Sequence, residues 1–476
     1  MRTNARCLLA IATAVVFAPG LPAQQTGSGA DRFLGNWSGT LATPAAKLRL
    51  ALTVTRDSTG SLAGVLTSLD QANAKIPATI ALHGDTIVAS MTTVKASYTA
   101  VLDAAKDSLR GMFTQGVPLP LDMGRAAALP TPVRPQEPKP PFPYRTQDVT
   151  FASVPGVRLA GTIVMPPGAG PFPAVVMVTG SGPQNRDEEL LGHKPFLIIA
   201  DYLARHGIAS LRYDDRGFAK STGNFAAATS SDFANDAQAA VQFLRAQKGV
   251  AANHVGVLGH SEGGLIAPMV AVKDKDVAFI VLVAGPGLPG DSILLMQEEL
   301  IAKASGAAQA VIDTNGAVNE RLFAAIKGAR DSADAAARVN AIVDRMVASL
   351  PANEQASARA RLDIAKKQLL TPWMLYFLAY DPRPTLRRVH VPVLALDGSL
   401  DLQVPPKQDL AAIDTALKRG GNRDYRVVEL PGLNHLFQPA KTGSPSEYAT
   451  IDETFSPDAL KIIADWINAH SGQSPR

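Results

Sequence analysis

An apolar run, Val255-Gly-Val-Leu258, passes without a spacer into Gly259-His-Ser-Glu-Gly-Gly264, and a helical run begins at Leu265. A chain that goes from buried strand to helix in so few residues must turn sharply. Gly259 and Gly263 stand where a side chain would collide with neighbouring backbone. The residue at the apex, Ser261, is then raised above the end of the strand, with the backbone N–H of Glu262 facing the same space. The pattern G-x-S-x-G arises often by chance; its strand-turn-helix setting makes it informative. Such a turn calls for a sheet with helices packed on it, which restricts the fold more than any other feature here.

The surroundings agree with that demand. Residues 174–178, 209–213, 255–258, 279–284, 391–396 and 425–430 are short runs rich in Val and Ile, the composition of parallel strands buried on both faces. A hairpin is expected around Pro155-Gly156, with Val149 to Val154 and Arg158 to Met165 as its arms. Helical stretches fall between the strands, among them 194–206 and 232–247, and Ser456-Pro457 opens the last one with a cap and a first-turn proline. The alternation predicts a doubly wound, mostly parallel α/β sheet. About residues 290–370 the sequence is helical well beyond the needs of one crossover. Val339, Ile342, Val343, Met346 and Leu350 mark one amphipathic helix there. An insertion at the carboxyl edge of the sheet is expected to form a cap over the site; the alternative is a purely structural helical layer.

Before this region the pattern is different. Leu48, Leu50, Leu52 and Val54 alternate with Arg49, Ala51, Thr53 and Thr55, and further short β-like runs follow to Phe113. A small antiparallel β domain, sandwich or barrel, is therefore expected over residues 24–128. Seven prolines between Leu129 and Tyr144 exclude a helix or central strand, so residues 129–146 read as a stiff linker to the α/β domain spanning 147–476. At 476 residues two domains are the natural count.

The first residues carry Arg2 and Arg6 ahead of an apolar stretch from Leu8 to Phe17. That stretch is shorter than the roughly 20 residues of a spanning helix, so residues 1–23 are expected to be a cleaved export signal rather than a membrane anchor, leaving no transmembrane segment. Arg6 directly before Cys7 argues against a lipid-modified cysteine. Cys7 is the only cysteine, so the mature chain has neither disulfide nor catalytic thiol. The 46 Lys and Arg against 42 Asp and Glu, without a long basic block, make nucleic acid an unsuitable partner.

With no thiol available, covalent chemistry falls to Ser261, which near neutral pH needs a base and an orienting carboxylate. After an elbow of this kind the acid and then the histidine follow along the chain. His435, in the loop Pro431-Gly-Leu-Asn-His435, is the expected base. Asp401 and Asp397 compete for the acid. Asp397 ends a strand beside Gly398, whereas Asp401 lies in the loop before Val404-Pro405, where a side chain can turn toward His435, so Asp401 is preferred. The oxyanion donors are expected to be the backbone N–H groups of Ser181, in Thr179-Gly-Ser-Gly-Pro183, and Glu262. Gly180-Ser-Gly182 does not match the phosphate-loop or dinucleotide glycine patterns, and no H-E-x-x-H occurs, so neither cofactor nor metal is expected. His260 is expected to pack in the elbow.

Taken together, Gly180-Ser-Gly-Pro-Gln-Asn-Arg-Asp187, Arg212-Tyr-Asp-Asp-Arg-Gly217 with Lys220-Ser-Thr-Gly223, Gly259-His-Ser-Glu-Gly263 and Asp401-Leu-Gln-Val-Pro405 resemble the bacterial α/β-hydrolases allied to the serine aminopeptidase and dienelactone hydrolase families. The resemblance covers about residues 147–470. It implies an α/β-hydrolase with a Ser261, Asp401, His435 triad, mostly associated with carboxylesterase activity. Asn185 departs from the pattern, where an aspartate is usual. Asp214, Asp215 and Arg216 read as braces of the loop after their strand. The activity expected is hydrolysis of a small acyl ester. An aminopeptidase would need an acid for the substrate ammonium, with Glu298, Glu299 or Asp381 as candidates, and a non-catalytic binding protein would have lost triad members, of which none is missing.

Overall fold

Strand periodicity in the first domain closes into a ring. The computed structural model describes residues 29–42, 47–57, 59–69, 74–127 and 134–471. Eight strands, β1 (Gly35–Ala42), β2 (Lys47–Arg56), β3 (Leu62–Ser68), β4 (Ala74–His83), β5 (Thr86–Met91), β6 (Ala96–Asp103), β7 (Ser108–Gln115) and β8 (Val117–Ala126), form an antiparallel meander in which β8 pairs back onto β1. Alternate residues point inward: Ile87, Ala89 and Met91 on β5 and Ala96, Tyr98, Ala100 and Leu102 on β6 are all buried. The seam is held by Arg125, whose guanidinium lies 4.1 Å from the centroid of the fully buried Trp37 ring. The same group donates to the carbonyls of Leu34 and Arg32 at 2.7 and 2.6 Å. A closed barrel leaves no sheet edge exposed.

The second sheet is built from β9 (Arg145–Ala152), β10 (Arg158–Met165), β11 (Phe172–Val178), α1 (Pro195–Arg205), β12 (Ala209–Tyr213), α2 (Ser230–Arg245), β13 (Val250–His260), α3 (Glu262–Lys273) and β14 (Ile280–Val283). After the helical insertion come β15 (Val393–Gly398), α10 (Pro406–Arg419), β16 (Tyr425–Leu430) and α11 (Pro457–Ala469). The strand order is β9-β10-β12-β11-β13-β14-β15-β16, antiparallel across β9, β10 and β12 and parallel beyond. Ala174, Val176 and Val178 of β11 join the core beneath α2, α3 and α10, while Val175 and Met177 face the core beneath α1 and α11. Every residue of that run therefore has an apolar partner, which explains why it does not alternate.

The insertion comprises α4 (Gly290–Ala304), α5 (Gln309–Lys327), α6 (Ser332–Ala348) and α7 (Ala352–Leu369), followed by α8 (Pro372–Ala379) and α9 (Arg383–Leu386). Val339, Val343 and Val347 on α6 pack with Phe323 and Ile326 of α5 and Leu378 of α8. The amphipathic face of α6 is thus buried inside the insertion rather than against the site, and Met346 is only half-buried. It is α8 that packs on both the insertion and α2.

The proline-rich segment is not a free spacer from residue 134 onward. Arg134 donates to the carbonyls of Leu191, Ile451 and Ala449. Gln136 donates to the carbonyl of Phe455 and accepts from the N–H groups of Thr454 and Phe455, and the Tyr144 hydroxyl donates to Asp201 at 2.7 Å. These polar side chains interrupt the prolines and fix the strap to the catalytic domain. Deleting residues 24–133 is expected to leave a stable soluble domain. Deleting 24–145 should destabilise it by roughly 2–5 kcal/mol, because several part-buried carbonyls and N–H groups lose their partners. Urea unfolding of the two truncations measures the difference. The predicted export signal lies outside the described residues, and among those described no helix is long and apolar enough to cross a membrane.

Candidate active site

Strand β13 runs straight into α3 through one residue. Ser261 has φ 53° and ψ −118°, a left-handed backbone that L residues rarely adopt. Its N–H donates to the Val283 carbonyl at 2.9 Å, tying the turn to the neighbouring strand. A Cβ on Gly259 would stand 1.9 Å from the Gly263 carbonyl oxygen, and one on Gly263 would stand 2.1 Å from that of Val178. Both positions therefore require glycine. Ser261 itself is half-buried.

The end of β15 and the loop after β16 bring the other two groups together. Asp401 accepts from the N–H groups of Gln403 and Val404 through Oδ1, at 2.7 and 2.9 Å, which turns its Oδ2 toward His435 Nδ1 at 2.6 Å. Both residues are buried, Asp401 2% exposed and His435 4%. The Asn434 side chain shapes the histidine loop by accepting from the N–H groups of Leu436 and Gln438. Asp397 is the neighbour of Asp401 and makes no hydrogen bond to His435: it is fully buried, with Oδ1 accepting from Gly398 N–H at 2.8 Å. Burial, followed by the charge of Asp401, raises its pKa well above the carboxylate range, so it stays protonated.

Across the cleft, a Cβ on Gly180 would come 3.2 Å from Ser261 Cβ, so the loop after β11 lies directly beside the serine. Gly180 N–H is engaged by Glu188 at 2.7 Å. The next amide, Ser181 N–H, and Glu262 N–H at the first turn of α3 have no hydrogen-bond acceptor among the described residues. Two donors, one at a positive helix end, are therefore available beside Ser261. The Glu262 side chain points inward, where its Oε1 accepts from Ser230 Oγ at 2.6 Å and Trp373 Nε1 at 2.7 Å. Trp373, on α8, thus reaches the elbow from the insertion side, whereas Met346 does not.

Asp215 accepts from Thr179 Oγ1 and from Gln184 N–H, both at 2.8 Å, and so braces the same loop. Burial pushes its pKa up to about 8, against hydrogen bonds that lower it. A carboxyl that binds its proton more tightly when folded contributes stability that is complete below about pH 4 and is lost as pH rises toward 8, by up to about 1.4 kcal/mol per unit. Asp215→Asn mimics the protonated form. Its stability is expected to fall less steeply than that of the wild type between pH 5 and 8, as read by denaturant midpoints, and parallel curves would contradict this.

Asn185, the departure from the usual motif, accepts from the N–H groups of Asp187 and Glu189 and needs only its carbonyl oxygen to do so. The structure also brings in Glu188, one position past the recognised motif and not singled out in the sequence, and gives His260, expected to pack in the elbow, polar contacts to both Glu188 and the His435 loop. The acids considered for an ammonium site are engaged locally, Glu298 by Asn319, Glu299 by Lys303 and Asp381 by Arg383.

The sequence profile of the X-Pro dipeptidyl-peptidase (S15 family) matches residues 155–422, more than half of the chain. The chain belongs to the S15 family. In this S15 member the match takes in the elbow and Asp401 and ends before His435. The α/β-hydrolase resemblance read from the motifs thus holds, with S15 as the family within it. The esterase EstD of Thermotoga maritima is 29% identical over 310 residues, covering 65% of this chain and 64% of its own length, so this S15 chain spans just under two thirds of that relative. Among solved structures, the α/β-hydrolase GrgF from Penicillium sp. sh18 is 17% identical with a TM-score of 0.44, covering 69% of this chain and 99% of that one. The Pyrococcus furiosus esterase Pf2001 is 15% identical with a TM-score of 0.39, covering 69% and 94%.

Proposed function

We propose that the protein is a serine hydrolase that cleaves carboxylic esters through an acyl-enzyme on Ser261. The observation that carries this reading is the 2.6 Å contact between Asp401 and His435, whose carbonyl oxygen lies 3.0 Å from the ring of His260, the residue before a serine held at a strained strand-helix turn. With Nδ1 donating to Asp401, the remaining nitrogen of His435, Nε2, is the one free to act as base. Ser261 Oγ attacks the acyl carbon while its proton passes to Nε2. The carbonyl oxygen becomes an oxyanion held by Ser181 and Glu262 N–H groups, worth about 10²-fold or more. Collapse expels the alcohol, which takes the proton from Nε2, and water repeats the sequence to release the acid. The buried Asp401, at 2.6 Å from Nδ1, stabilises the imidazolium in both halves.

Esters are preferred over peptides because EstD is described as an esterase and because Glu298, Glu299 and Asp381 are all occupied by neighbouring side chains. The family match supports a second reading, release of a dipeptide ending in proline. A panel of nitrophenyl esters and X-Pro nitroanilides separates the two: turnover of short esters with none of the anilides is expected, and the reverse ranking overturns the ester reading. The export signal read at residues 1–23 would place this chemistry outside the cytoplasm.

A further inference from the structure

Three loops meet beside Ser261, and one buried pair touches all of them. Glu188 is 4% exposed and His260 7%. Glu188 Oε1 accepts from Gly180 N–H at 2.7 Å and pairs with His260 Nδ1 at 2.9 Å, while His260 Nε2 lies 3.0 Å from the carbonyl oxygen of His435. A carbonyl only accepts, so Nε2 carries a proton; a carboxylate at Nδ1 calls for a second. Burial alone would lower the pKa of His260, but the charge and hydrogen bond of Glu188 outweigh it and the net direction is upward. The ring is then an imidazolium whose two donors are both committed. Its centroid lies 4.9 Å from that of the His435 ring.

We propose that Glu188 and His260 are positioning residues, an ion pair that locks the oxyanion loop to the backbone of the catalytic histidine through the residue preceding the nucleophile. This rests on the hydrolase reading of Ser261 and His435. Glu188 is itself held in place, at φ +52°, by a loop closed through its N–H to the Asn185 carbonyl at 2.9 Å. A left-handed non-glycine residue aimed inward is what a loop adopts when its side chain has a fixed task. The carboxylate is required for its charge, which holds a doubly protonated ring while one oxygen takes both donors. A glutamine keeps an oxygen for both donors but carries no charge to hold the imidazolium, so one of the two ring donors of His260 is lost, and its NH₂ replaces a buried oxygen that has no partner among the described residues. Without the pair, Ser181 N–H and the His435 ring are no longer held at a fixed separation, and a misplacement of about 1 Å costs about 10²-fold in rate.

The test compares Glu188→Gln, Glu188→Asp, His260→Gln and the Glu188→Gln/His260→Gln double variant on nitrophenyl acetate. Glu188→Gln is expected to lower kcat about 10- to 100-fold with KM changed less than about 3-fold, because the interaction acts on transition-state groups. Glu188→Asp, which keeps the charge, should fall between, and the double variant should be no slower than the worse single one. Imidazole nitrogen NMR at neutral pH should show two ring protons on His260 in the wild type and one in Glu188→Gln, a change that loss of packing alone does not produce. Unchanged kcat, multiplying losses in the double variant, or a singly protonated His260 in the wild type would overturn the proposal. A wild type with no ester turnover and no fluorophosphonate adduct at Ser261 would overturn the hydrolase reading instead; a failure of the pair alone leaves the wild type active.

Discussion

Ser261→Ala is expected to lower kcat/KM on a nitrophenyl ester by at least about 10³-fold while the protein stays folded. The acyl-enzyme cannot form without the hydroxyl, and the amides of Ser181 and Glu262 alone support only a residual rate. Stability should be nearly unaffected. The Ser261 hydroxyl has no hydrogen-bond partner among the described residues, and alanine at φ 53° is no more strained than serine. A variant of near wild-type activity contradicts the account of the nucleophile. A variant that loses activity only because it unfolds at a much lower urea concentration contradicts the account of the elbow.

Asp401→Asn should lower kcat by a factor approaching 10⁴, on the scale of about 10⁴ known for the equivalent change in a serine protease triad. The reason lies in which oxygen is replaced. Oδ1 of Asp401 accepts two backbone N–H groups, so an asparagine keeps its oxygen there and turns its NH₂ toward His435 Nδ1. That forces the proton of a neutral His435 onto Nε2, the nitrogen that must accept from Ser261. Asp397→Asn is expected to change kcat by less than about 10-fold, because an amide replaces a carboxyl that is already protonated. Parallel steady-state measurements on the two variants decide the matter, and the opposite ranking moves the acid to Asp397.

The two aspartates show what the sequence conveys and what it withholds. Both lie within a few residues of the end of β15, and the loop position before Val404-Pro405 favours Asp401 without stating which groups hold its side chain. What decides is the pair of N–H groups from Gln403 and Val404 that captures one oxygen of Asp401. The elbow was legible because its geometry admits only glycine at two positions, a constraint that reaches no further than the motif. The central parallel strands β11, β14 and β15 were legible because burial on both faces leaves little room for polar residues, whereas β16 at the sheet edge carries the exposed Arg426 and Glu429 and is buried only in part. Contacts between distant segments were not. Glu188 and His260 are 72 positions apart, and neither has a spacing pattern to announce the other. Arg125 closes the barrel over Trp37 from the opposite end of the meander. The amphipathic face of α6 was visible, but hydrophobic periodicity states only that a face is buried, not against what, and its partners proved to be α5 and α8. The proline-rich strap reads as a spacer by its backbone, while its docking depends on three polar side chains, Arg134, Gln136 and Tyr144, that composition does not distinguish from solvent-facing ones.

Labelling with a fluorophosphonate followed by peptide mass spectrometry tests the central claim most directly, since the reagent reports a serine hydroxyl made nucleophilic by its surroundings whatever the natural substrate. The expected result is one adduct per chain on Ser261, at a rate lowered at least about 10²-fold in His435→Ala, because the phosphonylation depends on the same base. A wild-type protein that takes up no label at Ser261, or that labels equally fast without His435, would contradict it.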